Sequence, residues 1–384
     1  MCEVTACFLG QAEVTMPSLL QDVERGCYRV VYLTPESFST HQQLLTSVYK
    51  HVGIVVVVVE DAHSISQWSF HFQPKSQLLN GLKTQMPQVP VLALSRSPSR
   101  PVLQDIVAAL GLARPRLLTQ PFDSPRITLE VSQRSGSLAH DLQGLVTHSG
   151  RCDVTFGGST LIVCPSPSSA AFVSLAVRSL GVSCELYLES YSGWQKGQIR
   201  CRFDHGVTEC VVATIRGVME ITKPDIRKVI VIGAPPDMDS LCLALGRAGR
   251  DGDSATATVM WGPADISRSR GAISMLKRGP YRQHRLRLLA QLETTLRSRE
   301  CRRRLLVSHY EEFYPRVSVS TATGNCCDNC DPKHPGKTPT SANVAGPRRD
   351  CSRDARLLLL VVIALGGKWG LRATARILRG SVSD

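Results

Sequence analysis

The sequence predicts an α/β protein of two parallel-sheet lobes followed by a basic helical segment that carries clustered cysteines. Three observations predict it. Apolar runs rich in Val and Ile occur at residues 28–33, 53–59, 89–94, 160–164, 184–188, 209–214, 228–233 and 255–261. A strand that is apolar throughout, instead of alternating, is covered on both faces, which is the situation in a parallel sheet wrapped by helices. Segments of helical period separate the runs, and the whole pattern restarts after a Pro-containing stretch at 113–126.

In the first lobe, the runs at 28–33, 53–59 and 89–94 lead to a helix predicted over 101–112, and the lobe boundary is expected near residue 124. In the second, helices over 168–180, 194–203 and 239–247 connect the five remaining strands. From 266 to 309 the chain turns helical and basic. Leu286, Leu289, Leu292 and Leu296 form an apolar stripe there, and eight arginines lie between Arg282 and Arg304. Those arginines suit either a solvated helix face or a phosphate-contacting one. A cysteine cluster follows, then a Pro/Gly/Ser/Thr-rich linker at 331–347 and an apolar helix around 355–365.

At 384 residues the chain has room for two or three cores, and 43% hydrophobic content fits a globular protein. Lys and Arg number 45 against 32 Asp and Glu, a net charge of +13 that favours a polyanionic partner. The sequence contains no stretch approaching the roughly 18–20 apolar residues of a membrane span, and its first ten residues lack a signal-peptide pattern, so an intracellular setting without a membrane partner is expected. Of the 14 cysteines, ten are scattered as in buried cores and four fall into a ligand-like group.

Three constellations carry chemistry. Glu60-Asp61-Ala62-His63 directly follows the run ending at residue 59, which places two carboxylates at the carboxyl end of a buried strand. Such a pair can serve Mg²⁺ and an attacking water, or simply cap a turn. Gly246-Arg247-Ala248-Gly249-Arg250-Asp251-Gly252 sets two arginines among small residues. Arginine stays charged and can bond two phosphoryl oxygens, although an arginine-rich loop is also common on basic surfaces. Cys301, Cys326, Cys327 and Cys330 end in a Cys-x-x-Cys spacing that lets two thiolates grip one ion, with two more available to complete a tetrahedral Zn²⁺ site. Trp68, Phe70 and Phe72 follow the acidic motif with period two, which suits either base stacking or one buried face of an extended segment.

Tyr32-Leu33-Thr34-Pro35-Glu36, Asp61-Ala62-His63-Ser64-Ile65-Ser66-Gln67-Trp68, Val212-Ala213-Thr214-Ile215 and the 246–252 loop occur in the order and rough spacing of RecQ helicase motifs. The chain resembles that family over nearly its whole length, and its cysteine arrangement is most similar to the Werner-type branch. The resemblance implies two RecA-like lobes at 1–124, incomplete, and 125–268, then a helical zinc module at 269–332, a linker at 333–349 and the start of a winged helix at 350–384. It also implies ATP-dependent 3′-to-5′ unwinding of DNA in repair, recombination and replication in the nucleus, with single-stranded and forked DNA as partners. Glu60 and Asp61 would then serve Mg²⁺ and water, and His63 would couple ATP to DNA. Arg247 and Arg250 would face the γ-phosphate, with Arg250 as the finger, and Trp68, Phe70 and Phe72 would sense single-stranded DNA.

Several positions depart from the family pattern. The phosphate-cradling Gly-x-x-x-x-Gly-Lys-Ser/Thr run is expected upstream of residue 1, and Gly336-Lys337-Thr338 has Asp331 where its first glycine belongs. The acidic pair is reversed, Thr-Ala-Thr reads Ser95-Arg96-Ser97, and Gly-Met-Gly-Ile reads Val218-Met219-Glu220-Ile221. Leu188 stands in place of the Tyr-His-Ala-Gly histidine, and Leu243 replaces the glutamine ahead of the arginine loop. A first lobe short of strands would be marginal, because an unpaired apolar strand is an aggregation hazard. Two functions therefore compete: a helicase impaired as this chain stands, or a catalytically dead, zinc-stabilised module that binds DNA or a partner.

Overall fold

The computed structural model describes residues 4–10, 17–66, 74–95, 100–118, 126–149, 153–311 and 326–331. All of them belong to one unit, Met1–Gly336. The linker, the apolar helix near 355–365, the aromatic trio Trp68, Phe70 and Phe72, and Arg96 and Ser97 lie outside the described residues.

The first lobe runs β1 (Ala6–Leu9), α1 (Pro17–Glu24), β2 (Val30–Leu33), α2 (Pro35–Thr40), α3 (Gln42–His51), β3 (Val57–Val59), α4 (Leu82–Gln85), β4 (Val91–Ala93) and α5 (Arg100–Ala109). Two short 3₁₀ segments, Ala62–Ile65 and Pro74–Leu79, lie between β3 and α4. Its strands form two separate two-stranded parallel sheets, β1 with β2 and β3 with β4. A small core of Phe38, Leu45, Val59, Ile65, Leu82, Ile106 and Leu110 lies beside the β3–β4 pair. Apolar residues in and just before these strands remain in solvent: Val55 is 87% exposed, and Phe8, Tyr32, Val58 and Leu92 are also exposed. Among the described residues, the two pairs share no common sheet.

The second lobe contains β5 (Ile127–Gln133), α6 (Leu138–Gln143), β6 (Thr147–Ser149), β7 (Asp153–Thr155), β8 (Thr160–Cys164), α7 (Pro167–Ser179), β9 (Cys184–Tyr187), α8 (Gly193–Asp204), β10 (Cys210–Thr214), β11 (Lys228–Ile232), α9 (Met238–Leu245) and β12 (Ala255–Trp261). Six of these strands make one parallel sheet in the order β5-β12-β11-β8-β10-β9, and β6 and β7 form a small antiparallel pair. β8 and β10 are buried at every residue, as continuous apolar runs require of central strands. Helices start where short polar side chains take up free amides: Ser166 caps α7, Ser192 and Gln195 form a reciprocal cap on α8, and Asp237 caps α9.

Three helices follow, α10 (Pro263–Ser274), α11 (Pro280–Arg297) and α12 (Arg302–Glu311). Leu289, Leu292 and Leu296 of α11 are buried and Leu286 packs beside them, so the stripe read from the sequence faces the second lobe's core. Three of the eight arginines need a correction, since Arg287, Arg297, Arg299 and Arg304 are exposed as a solvated or phosphate-contacting face requires. Arg285, Arg302 and Arg303 are buried and partnered within the protein, neither solvated nor available to phosphate.

Candidate functional site

The acidic turn begins where β3 ends. Asp61 has φ +48°, a left-handed conformation that aspartate tolerates better than most residues, and the 3₁₀ segment Ala62–Ile65 starts immediately after it. The amide of Ala62 donates to the carbonyl of Leu94 at 2.9 Å, which ties the turn to the end of β4. Glu60 is exposed, Asp61 is half-buried and His63 is buried. Ser66, also buried, donates to Asp105 Oδ2 of α5 at 2.6 Å, and Ser64 and Ser76 are 2.9 Å apart, so the turn is held from two sides. Thr34 caps α2 by accepting from the Ser37 amide, with Pro35 in the first turn. The Lys75 ammonium, 2.8 Å from Glu36, holds that carboxyl below its usual range.

The arginine loop follows α9. Asp237 accepts from the Ser240 amide at 2.8 Å and also takes Arg285 Nη1 at 2.8 Å, the two side chains being 4% and 5% exposed. Beyond α9, Arg247 is buried and donates to the carbonyls of Ile221 at 3.0 Å and Met219 at 3.2 Å. It thereby joins the loop to the segment after β10. Arg250 is exposed, with Nε on the Gly246 carbonyl at 3.0 Å. Between them, Gly249 has φ +56°, and a Cβ there would lie 2.6 Å from the Asp253 carbonyl oxygen, so only glycine fits. Of the two arginines the sequence singled out, Arg250 is the one whose head group reaches solvent.

The four predicted metal ligands come together. Their sulfur atoms all lie within 4.8 Å of one another, and Cys301 Sγ is 3.5 Å from Cys326 Sγ. Thiolates about 2.3 Å from a tetrahedral ion sit roughly 3.8 Å apart, so the donor set and its spacing fit a Cys₄ metal site. Around the Cys-x-x-Cys turn, the amides of Cys330 and Asp331 both donate to the Cys327 carbonyl. The Leu129 amide donates to Cys326, and the Asp328 amide returns a bond to Leu129, so the turn pairs with β5 at the sheet edge. Arg302 clamps Asp328 with two 3.1 Å bonds and also donates to the Thr295 and Leu296 carbonyls, while Arg303 reaches the Ile127 carbonyl at 2.6 Å. Burial together with the neighbouring Cys301 pushes the Cys326 thiol up to about 11. Burial acts the same way on Cys301, but amide hydrogen bonds from Arg304 and Arg303 at the start of α12, and the Cys326 and Cys330 thiols, bring it below its ordinary value. Sequence reading missed the role of Arg302, Arg303 and Arg285, because nothing in their spacing separates a buried cation from an exposed one.

No protein-family model matches the chain. The mouse bifunctional 3′-5′ exonuclease/ATP-dependent helicase WRN is 35% identical over 386 aligned residues, covering 100% of this chain and 27% of the relative. The Caenorhabditis elegans ATP-dependent helicase wrn-1 is 28% identical over 93% of this chain and 33% of its own length. For the Pasteurella multocida ATP-dependent DNA helicase RecQ the values are 26%, 92% and 52%. The chain thus spans between about a quarter and a half of the length of these relatives. Among solved structures, the DUF1998 helicase MrfA bound to DNA superposes with a TM-score of 0.52 at 14% identity, over 81% of this chain and 48% of that one, a likeness of fold. The chain is thus similar over nearly its whole length to Werner-type and bacterial helicases of the RecQ family, on an α/β helicase-like fold.

Proposed function

We propose that the chain is the motor part of an ATP-dependent 3′-to-5′ DNA helicase acting in the nucleus in repair, recombination and replication, with single-stranded and forked DNA as substrates. The observation that carries the reading is the arginine loop: Arg247 buried against main-chain carbonyls, Gly249 shaped for close approach, and Arg250 left exposed. In that role Arg250 stabilises charge developing on a transferred phosphoryl group. Glu60 and Asp61 hold Mg²⁺ and orient water, His63 links the acidic turn to bound DNA, and Trp68, Phe70 and Phe72 stack on bases. The Cys301, Cys326, Cys327 and Cys330 set holds a structural Zn²⁺ that fixes α11 and α12 on the second lobe. The lobes, the zinc module and a winged-helix start at 350–384 follow the boundaries given by the sequence.

A second reading, a catalytically dead module that still binds DNA, is favoured by one observation. Among the described residues, the first lobe's strands form two separate pairs with apolar faces in solvent. Unwinding of a 3′-tailed duplex separates the two. The motor reading predicts slow, ATP-dependent strand release that a 5′-tailed duplex does not support. The dead-module reading predicts binding of both duplexes with no ATP-dependent release.

A further inference from the structure

Cys184 opens β9, the last strand of the six-stranded sheet, and Cys210 opens β10 beside it. The two strands run parallel, with Cys184 directly opposite Cys210. Both side chains belong to the core under α7, with Val173 and Val177, so they project to the same face of the sheet. Neighbouring strands lie about 4.7–4.9 Å apart, inside the roughly 4.4–6.8 Å that separates the α-carbons of a disulfide. Register and spacing therefore already suit a covalent link.

The surroundings divide the pair into unequal thiols. The Ser174 hydroxyl of α7 and the Glu185 carbonyl each lie 3.8 Å from Cys184 Sγ, and Arg178 Nε donates to the Cys184 carbonyl at 2.9 Å. A hydrogen bond from the Cys210 thiol holds Cys184 below its ordinary value against the effect of burial, and Ser174 and Arg178 add to it. Burial, and that same hydrogen bond, push Cys210 up. Cys184 is thus the member that ionises, and the thiolate is the form that oxidants attack. Cys164 gives the contrast within the same core. Its neighbour on β10 is Thr214 instead of a thiol, and burial pushes it up to about 12.

Cys184 is 7% exposed and Cys210 is fully buried, so access depends on the strand between them and solvent. Among the described residues, β9 has a partner on one side only. A strand bonded on one side opens more readily than a central one, and opening of β9 uncovers both sulfurs together.

We propose that Cys184 and Cys210 are a redox modification site, at which a peroxide joins the edge strand of the second lobe to the sheet through a disulfide. The Cys184 thiolate attacks one peroxide oxygen, the O–O bond breaks, and the hydroxide released takes up a proton to become water. Cys184 is then a neutral sulfenic acid, and the charge that opposed ionisation of Cys210 is gone. The Cys210 sulfur attacks the Cys184 sulfur, the S–S bond forms, and the sulfenic hydroxyl leaves with the Cys210 proton as a second water. Two thiols and one hydrogen peroxide give one disulfide and two waters, and exchange with an added dithiol reverses the step. The link fixes the register of β9 and with it the start of the connection to α8.

The test treats the full-length chain with hydrogen peroxide, alkylates it under denaturing conditions without reductant, and maps the peptides by mass spectrometry. The expected product joins the peptides of Cys184 and Cys210, while Cys164 carries the alkyl group, and dithiothreitol restores both thiols. In Cys210→Ser, Cys184 should stop at a sulfenic acid that dimedone labels, a signal that wild type lacks. Hydrogen exchange at the β9 amides should slow by about 10-fold or more in the oxidised wild type. That reading and the wild-type map hold even where the variant folds poorly. Cys184 and Cys210 alkylated as fully as Cys164 after peroxide, or either one linked to a different cysteine, would overturn the proposal. Linked peptides with unchanged exchange at β9 would overturn the fastening of the edge strand.

Discussion

At the scale of single residues, backbone conformation explains one departure from the family pattern. The strand end must turn at once for Ala62 to reach the Leu94 carbonyl, and residue 61 does so with φ +48°. Aspartate tolerates that region better than glutamate, whose longer side chain bonds less readily to the adjacent backbone, so the order Glu60-Asp61 puts the suited carboxylate at the turn. Among the cysteines, position is tied to the sheet: Cys326 bonds β5 through its carbonyl, and the Arg302 amide donates to Cys327 Sγ at 3.4 Å. Losing one thiolate should therefore loosen more than the metal. Cys330→Ser is expected to reduce bound Zn²⁺ from about one per chain to a small fraction and to lower the melting temperature by roughly 5–10 °C. Metal analysis and calorimetry on the same preparation check it, and equal metal in both forms would remove the zinc assignment.

At the scale of elements, what was legible depended on burial. The strands β8, β10, β11 and β12 appear in the sequence within a residue or so of their observed ends, because a doubly covered strand is apolar throughout. β5 was not legible. Its Ile127–Gln133 run alternates, lies beside a Pro-containing stretch, and becomes a strand through pairing with β12 on one side and the cysteine turn on the other. β1 is only four residues long, too short for any period to show. The cysteine site was legible because ligand spacing is local, whereas the buried arginines that secure it depend on contacts up to 176 residues apart in sequence. The Arg285–Asp237 pair links α11 to the cap of α9, the helix that leads into the arginine loop. Removing one member leaves the other charge buried, at a cost of about 3–5 kcal/mol. Arg285→Met should show that loss in urea unfolding of the second lobe, while Arg285→Met with Asp237→Leu should recover much of it. A single variant as stable as wild type would show that the pair secures nothing.

At the scale of the whole molecule, the two halves differ in how fully they are built. The six-stranded sheet, its helices and the cysteine turn share one continuous core that includes Leu129, Leu241, Leu289, Leu306 and Cys327. The first lobe has a small core and exposed apolar residues at Phe8, Val55, Val58 and Leu92. Local stability should follow that division. Limited proteolysis is expected to degrade residues 1–118 first and to leave a resistant fragment beginning near residue 126, and even cleavage along both halves would argue against it. Chelation of the metal should shorten the life of the resistant fragment.

On the proposed motor function, a nucleotide is turned over between the acidic turn after β3 and the arginine loop after α9. Phosphate release from ATP, followed with and without single-stranded DNA, tests it most directly. Wild type is expected to show slow turnover that DNA accelerates, and Arg250→Ala about 10³-fold less. DNA binding with no turnover, or turnover that Arg250→Ala leaves unchanged, would contradict it.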